Sequence, residues 1–199
     1  MKTILNKLTL ICILTIGCLF TGCSNDHDEW KDGNPALAHV YYYCFEKWGG
    51  IPGGNDVSYF MKQGETIGIP TQFYSNYTRK YSPVVYYYTA PRLPKKDEVL
   101  TEDDILVCGT DYVVVDKDGN ELTPDASGAY EMTWPNAQKG VQNIYIKSLN
   151  GKKGSFRVLT FSPDKKMDVT DVSTTSIVKT DEYEVRAISE NYFVTVVIQ

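Results

Sequence analysis

The sequence is poor in histidine, in cysteine available to a folded body, and in clustered positive charge. Its two histidines, His27 and His39, sit in no H-E-x-x-H or comparable ligand spacing. That removes the usual histidine-built zinc site and any imidazole motif for acid–base chemistry. A G-x-S-x-G elbow and a glycine-rich phosphate loop are also missing, so nucleophilic acyl transfer and nucleotide chemistry have no motif to rest on. Twenty Lys and Arg stand against 25 Asp and Glu, a net charge of −5, which argues against nucleic acid and anionic lipid surfaces as partners. The longest apolar run, 8–20, is shorter than the ~20 residues that cross a bilayer as a helix. Helical periodicity is nearly absent.

What is present begins with an address. Lys2 and Lys7 precede the apolar run, and Thr21, Gly22 and Cys23 close it with small residues, the three-part layout of a cleaved export signal. Phe20-Thr21-Gly22-Cys23 resembles the lipobox, at which bacteria attach diacylglycerol to the cysteine and cleave before it. Phe20 replaces the more usual Leu. The reading is a signal peptide over 1–22 and a lipidated Cys23 that holds the chain on a membrane through its acyl chains. Ser24, Asn25, Asp26, His27, Asp28 and Glu29 follow as a polar, acidic tether with nothing to bury. Such acidic residues after the cysteine resemble the surface-export signal of Bacteroidetes lipoproteins, which implies the outer membrane and its cell-surface face, with the periplasmic face as the alternative. A solvated spacer explains the same residues. The expected organisation is signal (1–22), lipidated cysteine and tether (23–35), and one domain (36–199).

The body of the chain favours strands. Fifteen tyrosines, 15 glycines and many valines and threonines predict short strands joined by turns. Strands are expected near 37–45, 57–61, 66–74, 84–89, 105–108, 112–116, 130–134, 142–149, 155–161, 172–178, 183–188 and 192–198. Their even spacing predicts an all-β, Ig-like sandwich of mostly antiparallel strands. Asp118-Gly119 and Asn150-Gly151 read as tight hairpin turns. Ser189-Glu190-Asn191 is expected to reverse the chain into a C-terminal hairpin. The stretch 91–104, with two prolines and many charges, reads as an exposed connection with room for one helical turn.

One order of motifs resembles the Calx-β family: Gly109-Thr110-Asp111-Tyr112, then 130–135 ending in Trp134-Pro135, then Lys139-Gly140 and the alternating 141–146. The likeness spans roughly 57–161. It implies a Calx-β-like sandwich with a binding or spacer role. Some members of that family hold Ca²⁺ on carboxylates of the end loops, but those ligands have no residue-by-residue match here.

Candidate functional residues are therefore few. Glu102, Asp103 and Asp104 are the best metal candidate, a carboxylate run with hard-ion chemistry that lacks an EF-hand order; a solvated charged loop is the favoured reading of them, and no cofactor is expected. Cys44 and Cys108 can pair after export, or remain small buried hydrophobes. In the strand triplets Tyr41-Tyr42-Tyr43 and Tyr86-Tyr87-Tyr88, alternation sends the middle ring to one face and its neighbours to the other. Trp48 lies among glycines at 49, 50, 53 and 54, where strand packing gives it little reason to be; with Tyr77 and Tyr81 it is the candidate ligand contact, because loop aromatics stack on sugars and anchor protein contacts, while a ring folded back over the sandwich edge explains it at least as well. The expected function is a non-catalytic surface lipoprotein, a binding or accessory module for polysaccharide or a surface protein partner. The alternatives are a structural or adhesive spacer and, behind it, a glycan hydrolase.

Overall fold

Strand-forming residues with period-two burial account for almost all of the architecture. The computed structural model describes residues 38–49 and 54–199; the leader, Cys23, the tether and residues 50–53 lie outside the described residues. The strands are β1 (Val40–Phe45), β2 (Ser58–Met61), β3 (Thr66–Tyr74), β4 (Val84–Pro91), β5 (Tyr112–Val115), β6 (Tyr130–Thr133), β7 (Gly140–Ser148), β8 (Gly154–Leu159), β9 (Ser176–Lys179), β10 (Glu184–Ala187) and β11 (Phe193–Ile198). They form two sheets, a six-stranded one in the order β5-β7-β3-β1-β10-β9 and a five-stranded one in the order β2-β11-β8-β4-β6. Pairing is antiparallel except where β10 runs parallel to β1 and β11 parallel to β2. The chain is thus an all-β, Ig-like sandwich of mostly antiparallel strands.

Alternation selects the core. Tyr41, Tyr43 and Phe45 of β1 turn inward, as do Ile69 and Phe73 of β3, Ile144 and Ile146 of β7, and Val194, Val196 and Ile198 of β11. Aromatic rings fill the space between the sheets: Phe73 stacks on Trp134 at 5.1 Å and Tyr112 on Phe156 at 3.8 Å between centroids. Emptying one such buried aromatic site costs about 3–5 kcal/mol, so these rings set the spacing of the two layers. The tyrosine triplets divide as alternation requires. Tyr42 is exposed between two buried rings, whereas Tyr87 faces the core and Tyr86 and Tyr88 lie on the opposite side of β4 with Leu159.

Three sequence expectations are corrected. Residues 105–108 do not form a strand: the Val107 N–H donates to the Asp111 carboxylate at 2.8 Å, and the Gly109 and Asp111 amides close turns. The C-terminal hairpin does not form either. The turn at Ser189-Glu190-Asn191 carries the chain from β10 in one sheet to β11 in the other, and the buried Asn191 side chain donates to the Phe45 carbonyl at 2.6 Å to fix that crossing. Likewise Asn150-Gly151 joins β7 to β8 across the sheets instead of making a hairpin. Gly151 is needed there for close approach, not for backbone conformation. A Cβ on it would meet the Asp111 carboxylate and come within 2.9 Å of the Asp111 Cα. Asp118-Gly119 does turn tightly, with Gly119 at φ +87 and the Asp116 carboxylate accepting from the Asp118 and Asn120 amides; the returning chain makes only a bridge between Val115 and Glu121. The connection after β4 contains one short 3-10 turn, Glu102–Asp104, and residues 172–175 form another before β9 begins.

Candidate functional site

The outward face of the six-stranded sheet carries the best-assembled set of exposed rings. Register places Tyr42 opposite Tyr74 and Cys44 opposite Gln72, and continues through Gln72 opposite Val141, Pro70 opposite Asn143 and Gly68 opposite Tyr145. Because residues two apart share a face, these side chains make one continuous surface. Tyr42 and Val141 are open to solvent and Tyr74 and Tyr145 half-buried. Tyr145 lies over Gly68, where a Cβ would come within 3.1 Å of the ring. The missing side chain leaves room for that ring. Gln72 Nε2 donates to the Gly140 carbonyl at 2.8 Å and Asn143 Nδ2 to the Tyr145 hydroxyl at 3.4 Å, so each amide is oriented while its carbonyl oxygen has no hydrogen-bond donor among the described residues.

Trp48 stands just beyond the end of β1, with 50% of its area exposed. The Tyr74 hydroxyl is raised in pKa by burial, with the Cys44 thiol adding to the rise and a hydrogen bond from the Trp48 indole acting against it. With that exposure Trp48 is not folded into the core. Cys44 faces outward yet is fully buried; its thiol donates to the Phe45 carbonyl at 3.2 Å. Burial pushes it up to about 12, against hydrogen bonding from Asn191 and Tyr74. A thiol so protonated is inert. Lys139 Nζ approaches the Tyr74 ring at 6.0 Å, and Lys47 Nζ the Tyr59 ring at 5.1 Å.

The other predicted contacts are engaged elsewhere. Tyr81 shares a 2.7 Å hydrogen bond with the Tyr41 hydroxyl and stacks on Tyr183 at 5.5 Å, packing against the core. Tyr77 is half-buried beneath the Arg79 guanidinium at 5.1 Å, and its carbonyl accepts from the Ser75 hydroxyl. Tyr42, Tyr74 and Tyr145 were not singled out by sequence as contacts; the alternation of the first tyrosine triplet was the available signal, but it could not say which of its two faces looks outward.

The acidic run is occupied by its neighbours. Arg92 donates to both oxygens of Glu98 at 2.7 and 2.6 Å, and this pair, together with the Lys95 amide, holds the Glu98 carboxyl at about 2. Asp104 accepts from the Thr101 amide and hydroxyl. Lys152 Nζ donates to the Glu102 carbonyl at 3.2 Å and lies 3.7 Å from Asp103. Among the described residues no group of three or more His, Cys, Asp or Glu side chains converges as a metal site would. The Cys44–Cys108 disulfide does not form: both cysteines are free, Cys44 buried and Cys108 exposed with its sulfur 3.5 Å from the Tyr130 hydroxyl. Cys108 lies in the turn that Asp111 organises, beside a ring from the five-stranded sheet, while Cys44 belongs to the outer face of the other sheet.

No family model matches this sequence, and no curated protein matches it. Among solved structures the chain is similar to the crystal structure of CBD12 from CALX1.2, at 11% identity and a TM-score of 0.39, over 79% of this chain and 45% of that one. This chain thus spans less than half the length of that protein. The fold stands on the strand order and register described above.

Proposed function

We propose that this chain is a non-catalytic surface lipoprotein, anchored in the outer membrane through Cys23, whose sandwich takes polysaccharide on the outward face of its six-stranded sheet. The observation that carries the reading is Trp48. Half of its area faces solvent just beyond β1, whose sheet also presents Tyr42, Tyr74 and Tyr145 on its outward face. Aromatic faces of this kind pack against the C–H faces of sugar rings, and oriented amides beside them bond hydroxyls. The lipobox-like leader and acidic tether supply the address, and the acyl group supplies the anchor.

The test is retardation of the purified chain in gels containing a panel of neutral and acidic polysaccharides. Retardation by at least one polymer, weakened about thirtyfold or more in Trp48→Ala as expected for a contact hot spot, supports the reading. Silence across the panel leaves the spacer role, and release of sugar from any polymer makes the protein a hydrolase. For the address, Cys23→Ala is expected to shift the protein from the membrane fraction to a soluble or unprocessed form; unchanged, detergent-sensitive membrane association would refute lipid anchoring.

A further inference from the structure

The five-stranded sheet has a feature of different character on its own outward face. Alternation along β8 turns Arg157 and Leu159 away from the core that Phe156 and Val158 fill. Arg157 then lies opposite Thr195, and Leu159 opposite Phe193. Past β8 the chain folds into the loop 162–167, and Arg157, Leu159, Phe161, Lys165, Lys166 and Tyr192 border an open cleft of about 280 Å³. That is just below the roughly 300–1,000 Å³ of drug-sized ligand sites, room for a unit the size of one sugar.

Arg157 is fixed and available at once. Its Nε donates to the Pro91 carbonyl at 2.9 Å, and the guanidinium lies over the Phe193 ring at 5.4 Å. Those two contacts set the plane of the group and leave its terminal nitrogens without a hydrogen bond among the described residues. The chain is acidic overall, yet the cleft gathers three cations and has no carboxylate in its lining. Asp164 lies in the same loop but outside that lining, exposed, and with Asp125 it acts on Tyr88. None of the ion pairs among the described residues uses Arg157, Lys165 or Lys166. Burial lowers the Arg157 pKa, with Tyr192 acting in the opposite sense. A partly desolvated guanidinium with no counter-charge is costly to keep, and an anion repays that cost. Beside it, the half-buried Tyr192 ring, set edge-on to Phe161 at 6.2 Å and to Phe193 at 5.2 Å, offers a wall for an apolar ring face.

We infer that this cleft binds the anionic group of an acidic sugar, the carboxylate of a uronate or a sulfate ester, with Arg157 as the anchor, Lys165 and Lys166 as flanking charges and Tyr192 against the ring. The inference takes its ligand class from the polysaccharide reading but uses the other sheet, so the two fail separately.

The experiment measures affinity of the full chain, in neutral detergent, for polygalacturonate, dextran sulfate and neutral dextran at low and physiological salt. The expected result is binding to one or both polyanions and none to neutral dextran, weakened about tenfold or more by Arg157→Gln, as loss of a bidentate guanidinium contact implies. Lys165→Gln with Lys166→Gln, on the exposed loop, is expected to weaken binding several-fold without moving the melting temperature. This pair decides the matter if Arg157→Gln fails to fold. Lys147→Gln, exposed on the other sheet, is expected to leave polyanion binding unchanged. The inference is overturned by no binding to either polyanion, by equal binding to neutral dextran, by undiminished binding in Arg157→Gln, or by an equal loss in Lys147→Gln, which would mark diffuse charge attraction.

Discussion

Asp111 is the residue whose replacement tests the architecture most sharply. It is 2% exposed, and its two oxygens accept separate backbone donors, Val107 N–H at 2.8 Å on Oδ2 and Lys152 N–H at 2.7 Å on Oδ1. One carboxylate therefore ties the turn before β5 to the connection between the sheets. Burial by itself raises its pKa, but the Lys152 and Val107 amides and the Lys152 charge outweigh burial and hold it below the ordinary value. Asp111→Asn keeps the shape and can satisfy only one of the two amides; the other faces the new Nδ2 donor. A hydrogen bond to a charged group contributes about 1.5–3 kcal/mol, and a buried unsatisfied donor costs about 1–3. The expected loss is about 2–4 kcal/mol near neutral pH, a fall of roughly 2–4 °C in melting temperature per kcal/mol for a body of this size. The pH dependence follows from the sign of the shift. Because the folded pKa is depressed, the contribution is complete well above the unfolded value of about 3.9 and is lost as pH falls through the folded value. Urea melts of the two proteins at neutral pH and at stepwise lower pH should show a wide gap that narrows in acid. A gap under about 0.5 kcal/mol at neutral pH, or one that stays constant into acid, would refute the bridging role assigned to Asp111.

Gly151→Ala should be about as damaging, because its Cβ meets the Asp111 carboxylate and approaches the Thr110 carbonyl to 3.0 Å; a denaturant midpoint equal to wild type would show that this connection yields freely. Trp48→Ala should cost well under the 3–5 kcal/mol of an emptied buried aromatic site, since half the ring is already exposed; a loss in that core range measured by urea melts would make the ring structural and withdraw it as a contact. Under native conditions a maleimide should label Cys108 promptly and Cys44 only on unfolding, one being exposed and the other buried with its pKa pushed up to about 12. Rapid labelling of both, followed by mass spectrometry, would contradict the enclosure of Cys44.

Much of the β-architecture was legible because β-strands write themselves at short range. The run 66–74 alternates cleanly and is the strand Thr66–Tyr74, and Val194, Val196 and Ile198 share the core face of their strand as a period of two requires. The misreadings concern partners. A turn of small polar residues between two strands looks the same whether the next strand pairs alongside or crosses to the other sheet, so neither Asn150-Gly151 nor Ser189-Glu190-Asn191 announced its crossing. Residues 105–108 look like a strand because they are apolar. Leu106 is buried as a strand residue would be, but the Val107 amide is taken by a carboxylate four residues on.

The candidate site divides along the same line. Trp48 was visible from its glycine-rich setting, since a large ring with few local packing partners tends to face outward. Tyr42, Tyr74 and Tyr145 come together only through the β1–β3 and β3–β7 registers, and the Arg157 cleft needs residues of β8, the following loop and Tyr192 just before β11. The sequence by itself determined the all-β class, most strand positions and the alternation within each, because these depend on neighbours along the chain. Tertiary structure alone decided which strands pair, which face of each looks outward, and which of Trp48, Tyr77, Tyr81 and the carboxylates remain open to a ligand. Those outcomes depend on contacts between residues far apart in sequence, and local pattern carries no record of them.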